Sequence, residues 1–320
     1  MALLDAEKAG KIPRTPQGVT PLQKIFFQRF PEEARRWGYM KREFLDPQCH
    51  PEANPKKTEI ADFAALTEEI KQTVLDMGAA VVGIADYNPN LTFTEAEELG
   101  HKSVIVFLIP MSFDVMIDIG PKSQEDVHKT YFLLDELATR LAMRISAYGY
   151  NARVQANRGE IPLPAYGQLA GVGELGKNGC LLSPELGSAF RLSAVSTDMP
   201  LVADGPKDHG IDELCTHCDI CTRFCPGEAI RTQKVNVDGM LRWQVDTPAC
   251  HPHFLRLYGC KICLSVCPMN ARANKTGAYK AVAKDIRETK NAEGMLKLLN
   301  QRSDLKLEEF NEKARALTPE

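Results

Sequence analysis

The sequence predicts an α+β protein: a mixed helix and strand body followed by a small cysteine-rich unit. Three observations lead there. Short Val- and Ile-rich runs alternate with amphipathic helical stretches before residue 200. Eight of the ten cysteines then fall between Cys215 and Cys267. The chain, at 320 residues with 44% hydrophobic content, is longer than one core usually grows before it splits, so a large and a small unit are expected.

Along the chain, residues 1–57 form an N-terminal arm in which "FFQRFPEEARRWGYMKREFLDP" is an amphipathic stretch with several aromatics. The body, 58–207, opens with "TEIADFAALTEEIKQTVLDMGA", apolar at helical spacing, with Thr58 and acidic residues near its start and Gly78 as its stop. "AAVVGIAD" and "KSVIVFLIP" are buried strands. "SQEDVHKTYFLLDELATRLAMRISAYGY" is a long amphipathic helix with Ser123 and acidic residues at its start, as in a capping box, and Gly149 near its end. The cysteine-rich unit takes 208–273, and the charged, helix-forming stretches of 274–320 form a C-terminal extension. Packing, or a homodimer contact, is the reading for both ends.

The cysteines carry the most specific signal. Cys215, Cys218, Cys221 and Cys225 read C-x2-C-x2-C-x3-C-P, and Cys250, Cys260, Cys263 and Cys267 read C-x9-C-x2-C-x3-C-P. Two-residue spacers let one loop wrap three thiolates around a cubane, while the fourth cysteine, followed by proline, serves the neighbouring cluster. Cys215, Cys218, Cys221 and Cys267 are thereby assigned to one 4Fe-4S cluster, and Cys225, Cys250, Cys260 and Cys263 to the other. Zinc, which also uses C-x2-C pairs, explains neither the three-in-a-row first half nor the two proline endings. His217 is a neighbour, since cysteines supply every ligand. Cys49 and Cys180, isolated, are read as buried or idle thiols.

Several function classes recede. A formal charge of −3 argues against electrostatic capture of nucleic acid or anionic membrane. The longest apolar run, "VIVFLIPM", is too short to span a bilayer and contains a proline. The N-terminus lacks the apolar segment of a secretory signal, and none follows the Arg35-Arg36 pair, so a cytoplasmic location is expected. The run "GQLAGVGELGKNG" fits neither the G-x-G-x-x-G nor the P-loop pattern. Its glycines are read as letting the backbone approach a flat cofactor.

Taken together, "MGAAVVGIA", "KSVIVFLIPM", "IPLPAYGQLAGVGELGKNG", "RLSAVSTDMPL", "RWQVDTPAC" and "GCKICLSVCPMN" resemble the cobalamin-dependent reductive dehalogenases, with the epoxyqueuosine reductases as their relatives. The resemblance covers about residues 78 to 273. It implies a nitroreductase-like corrinoid core fused to a ferredoxin-like domain with two 4Fe-4S clusters. It also implies base-off cobalamin, in keeping with the lack of a D-x-H-x-x-G sequence. On the resemblance, Gly171, Gly173, Glu174, Gly176, Lys177 and Asn178 are candidate corrinoid contacts. Tyr131 matches the tyrosine proton donor, Arg191 the basic residue beside it, and Asn157 an asparagine at the same site. The expected activity replaces carbon–halogen with carbon–hydrogen on an organohalide, with electrons from a low-potential donor such as ferredoxin or flavodoxin.

Two alternatives stay open. "EDVHK" places Asp126 and His128 near the positions of an acidic residue and a histidine in the epoxyqueuosine reductases, where Asp126 would be the acid acting on a tRNA base. A corrinoid-free electron-transfer protein is the non-enzyme reading.

Overall fold

The computed structural model describes residues 21–112, 115, 121–157, 159–237 and 240–270, so the C-terminal extension lies outside the described residues. Its centre is a four-stranded sheet of β1 (Val81–Asp86), β2 (Ser103–Pro110), β3 (Ala152–Gln155) and a later strand, β6 (Phe190–Thr197). The order is β1-β2-β6-β3, and each neighbouring pair is antiparallel. Three helices lead into or between these strands: α1 (Pro21–Gln28), α2 (Glu32–Met40) and α3 (Phe63–Asp76). The longest, α4 (Pro121–Ala147), precedes β3.

Strand alternation explains why the β2 sequence is apolar at almost every position. Ile105 and Phe107 point to one face, where they pack with Leu66, Ile70 and Val74 of α3 and Leu134, Leu137, Leu141 and Ile145 of α4. Val104, Val106 and Leu108 point to the other, against Leu163, Tyr166 and Leu181. The second face is covered by α5 (Leu163–Leu169) and a small hairpin, β4 (Glu174–Leu175) with β5 (Leu181–Leu182). Gly83 makes that cover tight: a side chain there would strike the Ala170 carbonyl.

The helix expected from Thr58 starts later. Asp62 is its cap, its carboxylate accepting from the Ala64 and Ala65 amides at 2.8 and 3.0 Å. It stops where expected, at Gly78 with φ +108°. α4 begins before Ser123, which is buried and accepts a hydrogen bond from Lys261 rather than capping the helix.

The arm packs onto the body. Trp37 lies 5.3 Å from Phe132 of α4, and the Lys41 ammonium is 2.9 Å from the buried Asp135 carboxylate. The cysteine-rich unit follows β6 with short helices α6 (Ile211–His217), α7 (Ile220–Phe224), α8 (Thr247–Arg256) and α9 (Ile262–Ser265), plus the β7 (Val235–Val237) and β8 (Met240–Arg242) hairpin. Among the described residues no helix is long and apolar enough to cross a membrane.

Candidate active site

The cysteine spacings break the chain into one-turn pieces. Cys215 lies on α6 and Cys218 caps its end; Cys221 lies on α7 and Cys225 caps its end. Cys250 lies on α8, a helix started by Asp246, whose carboxylate accepts from the Ala249 amide at 3.1 Å. Left-handed backbone at Tyr258 and Gly259 then turns the chain into Cys260, with Cys263 on α9 and Cys267 just beyond it.

These pieces gather the thiols into two groups. Cys215, Cys218, Cys221 and Cys267 line one cavity together with Lys177, Asn178 and Met269. Cys225, Cys250, Cys260 and Cys263 line another, with Cys180, Arg191, Lys261 and Phe254. The space between atoms is about 330 Å³ in the first and about 780 Å³ in the second, open solvent at the mouths included.

Burial dominates the electrostatics of both groups. It pushes the Cys215 and Cys221 thiols up to about 12 and Cys260 to about 11, with Cys263 and Cys267 also well above an ordinary thiol. Thiols this reluctant to ionise need the positive charge of bound iron to become ligands, so the donor sets fit iron–sulfur clusters.

Segment 171–178 packs closely against neighbouring parts of the chain. A side chain on Gly171 would come within 2.7 Å of the Gly205 carbonyl, one on Gly173 would strike the Leu182 carbonyl, and one on Gly176 would meet the Leu182 side chain at 2.6 Å. The close approach these glycines permit is of the chain to itself. Glu174 is buried, and its carboxylate accepts from the His209 and Ile211 amides at 3.0 and 2.8 Å, which holds the start of α6. Burial raises its pKa, opposed by those two amides. Lys177, only 1% exposed, donates its amide to Cys215 Sγ at 3.4 Å and its ammonium to Asp219 at 2.6 Å, beneath the Trp243 ring. Asn178 lines both cavities.

Tyr131 and Arg191 come together. The Arg191 guanidinium, at the start of β6, sits 5.8 Å from the centre of the half-buried Tyr131 ring, within cation–π range. Its Nη1 donates to the Phe190 carbonyl at 3.0 Å, while its buried Nε has no hydrogen-bond partner among the described residues. His128 stands edge-on to Tyr131 at 6.0 Å and to Phe30 at 4.7 Å, and burial lowers its pKa. On the same helix, Asp126 has a buried Oδ2 without a partner among the described residues, and burial raises its pKa against the charges of Lys129 and Arg191. Asn157 is exposed, two residues beyond β3. The register Gln155↔Ala194 carries the chain there toward the Arg191 end of β6.

Two participants escaped the sequence reading. Cys180, taken as idle, lines the second cavity. Lys261 is buried between two cysteines and donates to Ser123 Oγ at 2.6 Å, tying α4 to the second group. The only sequence signal for Cys180 is its place directly after "GKNG".

Fold and site combine an α+β core with a cysteine-rich unit, and the 4Fe-4S dicluster domain family matches residues 214–275 of the latter. The tetrachloroethene reductive dehalogenase of Sulfurospirillum multivorans is 30% identical over 254 residues, covering 65% of this chain and 50% of that protein. The epoxyqueuosine reductase of Lactococcus garvieae is 34% identical over 148 residues, covering 44% and 40%. A solved reductive dehalogenase, described in terms of B12-dependent dehalogenation, superposes with a TM-score of 0.76 at 23% identity, covering 92% of this chain and 46% of that one; this likeness shows the fold. The chain is a relative of the reductive dehalogenases, and epoxyqueuosine reductases are further relatives. It spans half or less of the length of the reductive dehalogenases it matches.

Proposed function

We propose that the protein is a reductive dehalogenase acting in the cytoplasm, which passes electrons singly through two 4Fe-4S clusters to base-off cobalamin. The balance is R–X plus two electrons and one proton, giving R–H and X⁻. One observation carries the reading: Arg191 touches both halves of the chemistry, lying against Tyr131 and lining the cavity of Cys225, Cys250, Cys260 and Cys263. That cavity therefore holds the cluster nearer the reacting centre, and the cavity of Cys215, Cys218, Cys221 and Cys267 the farther one.

A bound corrinoid would supply low-valent cobalt as the electron source for carbon–halogen cleavage. The buried, unpartnered Nε of Arg191 and the room in the second cavity beyond what its twin possesses fit a group seated between core and clusters. Tyr131 would donate its phenolic proton to the carbon that loses halide. The Arg191 guanidinium, held against the ring, would help to orient Tyr131 for that transfer. Asn157 would steady the organohalide from the loop after β3. A ferredoxin or flavodoxin would refill the farther cluster.

Anaerobic reconstitution with iron, sulfide and hydroxocobalamin tests this, with about eight irons and one cobalt per chain expected. Halide release from a panel of aryl and vinyl halides, driven by a low-potential reductant, should fall at least about tenfold in Tyr131→Phe with clusters and cobalt retained. Iron without cobalt would overturn the proposal in favour of an electron-transfer protein.

A second reading, epoxide reduction on a tRNA base, is favoured by one observation. Asp126, with its buried free oxygen and raised pKa, is placed to act as an acid near Arg191.

A further inference from the structure

The two cysteine cavities are not equivalent. Around the first stand four thiols, three of them buried. Around the second stand five, because Cys180 joins Cys225, Cys250, Cys260 and Cys263, and none of these five is fully buried. A 4Fe-4S cluster takes four protein thiolates, so one thiol of the second group is in surplus.

The surplus thiol is firmly placed. The Gly176 amide donates to the Cys180 carbonyl at 2.9 Å, and the Cys180 amide donates to Asn178 Oδ1 at 3.1 Å. Gly179, with φ +73°, brings the turn against Val245, another residue of the cavity wall. Cys180 shares the cavity wall with Cys250 and Cys263. Cys250 reaches the site from α8, which begins two positions beyond Val245, the residue the Cys180 turn packs against.

We propose that Cys180 is a reserve ligand of the second cluster, taking over the iron held by Cys250 when that thiolate is displaced. In the exchange the Cys180 S–H bond breaks as S–Fe forms, and the displaced Cys250 thiolate takes up a proton. The charge on the cluster is unchanged, and no oxidant or reductant is consumed. The inference rests on the iron–sulfur part of the proposed function but not on the corrinoid.

Iron and sulfide counts on the anaerobically reconstituted full chain test it, with electron paramagnetic resonance of the reduced protein. The parent should hold about eight irons, which checks the underlying reading separately. Cys180→Ala should match the parent. Cys250→Ala should also keep about eight irons, with an altered line shape for one cluster, whereas Cys180→Ala with Cys250→Ala should fall to about four. Loss of the cluster in Cys250→Ala alone would overturn the proposal, and so would full retention in the double variant, since then neither thiol would be needed.

Discussion

Glu174 is where the core grips the first cysteine helix, and its replacement separates two roles of a buried carboxylate. One oxygen accepts from both the His209 and Ile211 amides, and the residue is 2% exposed. Glu174→Ala removes the carboxylate acceptor from the buried Ile211 amide and the partly buried His209 amide, at about 1–3 kcal/mol each. Removing the carboxylate also relieves the desolvation that raises its pKa, so the lower part of that range applies, about 2–4 kcal/mol in all. For a protein of this size that lowers the apparent melting temperature by about 3–6 °C. Glu174→Gln keeps an acceptor oxygen. Because burial already disfavours the charge, it should cost only about 1 kcal/mol. The gap between parent and Gln variant should narrow as pH rises through the raised pKa, since the native state binds that proton more tightly than the unfolded chain does. Anaerobic thermal scans at one fixed rate, paired with the rate of iron loss to a chelator, read both effects. An Ala variant that melts with the parent and loses iron no faster would refute the view that Glu174 holds α6.

Other expectations follow from the same geometry. Lys177→Met removes a buried cation beside the first cavity, so the midpoint potential of that cluster should drop by tens of millivolts while the other barely moves, in a redox titration followed by electron paramagnetic resonance. Cys225→Ala should degrade the second cluster more than the first, and two intact cluster signals would exclude the crossed assignment. Asp126→Asn should leave halide release close to the parent rate. If tRNA epoxide reduction is the true activity, it should be lost in that variant, and the parent rate should fall as pH rises through the elevated Asp126 pKa.

What could be read in the sequence was what local rules decide. The β2 run "SVIVFLIP" announced a strand buried on both faces, and the glycine at 78 announced a helix stop, because periodicity and backbone freedom act over a few residues. The cysteine spacings pointed to cubane chemistry for the same reason. Less legible were residues whose partners lie far along the chain. Ser123 looked like a cap because serine often is one, yet tertiary packing turned it toward Lys261, 138 positions away. The glycines from 171 to 176 announced close approaches without naming the partner, because glycine shows only that something comes close. Within the chain, the β5 side of the hairpin and the 205 loop do so. Cys180 carried no spacing relation to the other thiols, so nothing short of the folded turn could bring it to them.

Under the proposed function, the N-terminal arm serves for more than covering surface. Proton delivery from Tyr131 would then demand that α4 and the start of β6 keep a fixed separation, and side chains on rigid elements hold such geometry better than loops do. β6 is fixed as an inner strand between β2 and β3. α4 is fixed from the sheet side by Leu134, Leu137 and Leu141, and near Ser123 by Lys261 from the cysteine-rich unit. The arm supplies a third restraint. Trp37 packs on Phe132, the residue after Tyr131, and Lys41 reaches Asp135, one helical turn further on. Burial pushes that carboxylate up to about 6, so the Lys41 charge, close by, offsets only part of its desolvation. The ion pair is thus better understood as fixing the orientation of α4 than as a source of stability. Under the proposed function, loosening it would spoil the Tyr131–Arg191 spacing and slow the proton step, while both clusters, held by other elements, would stay intact.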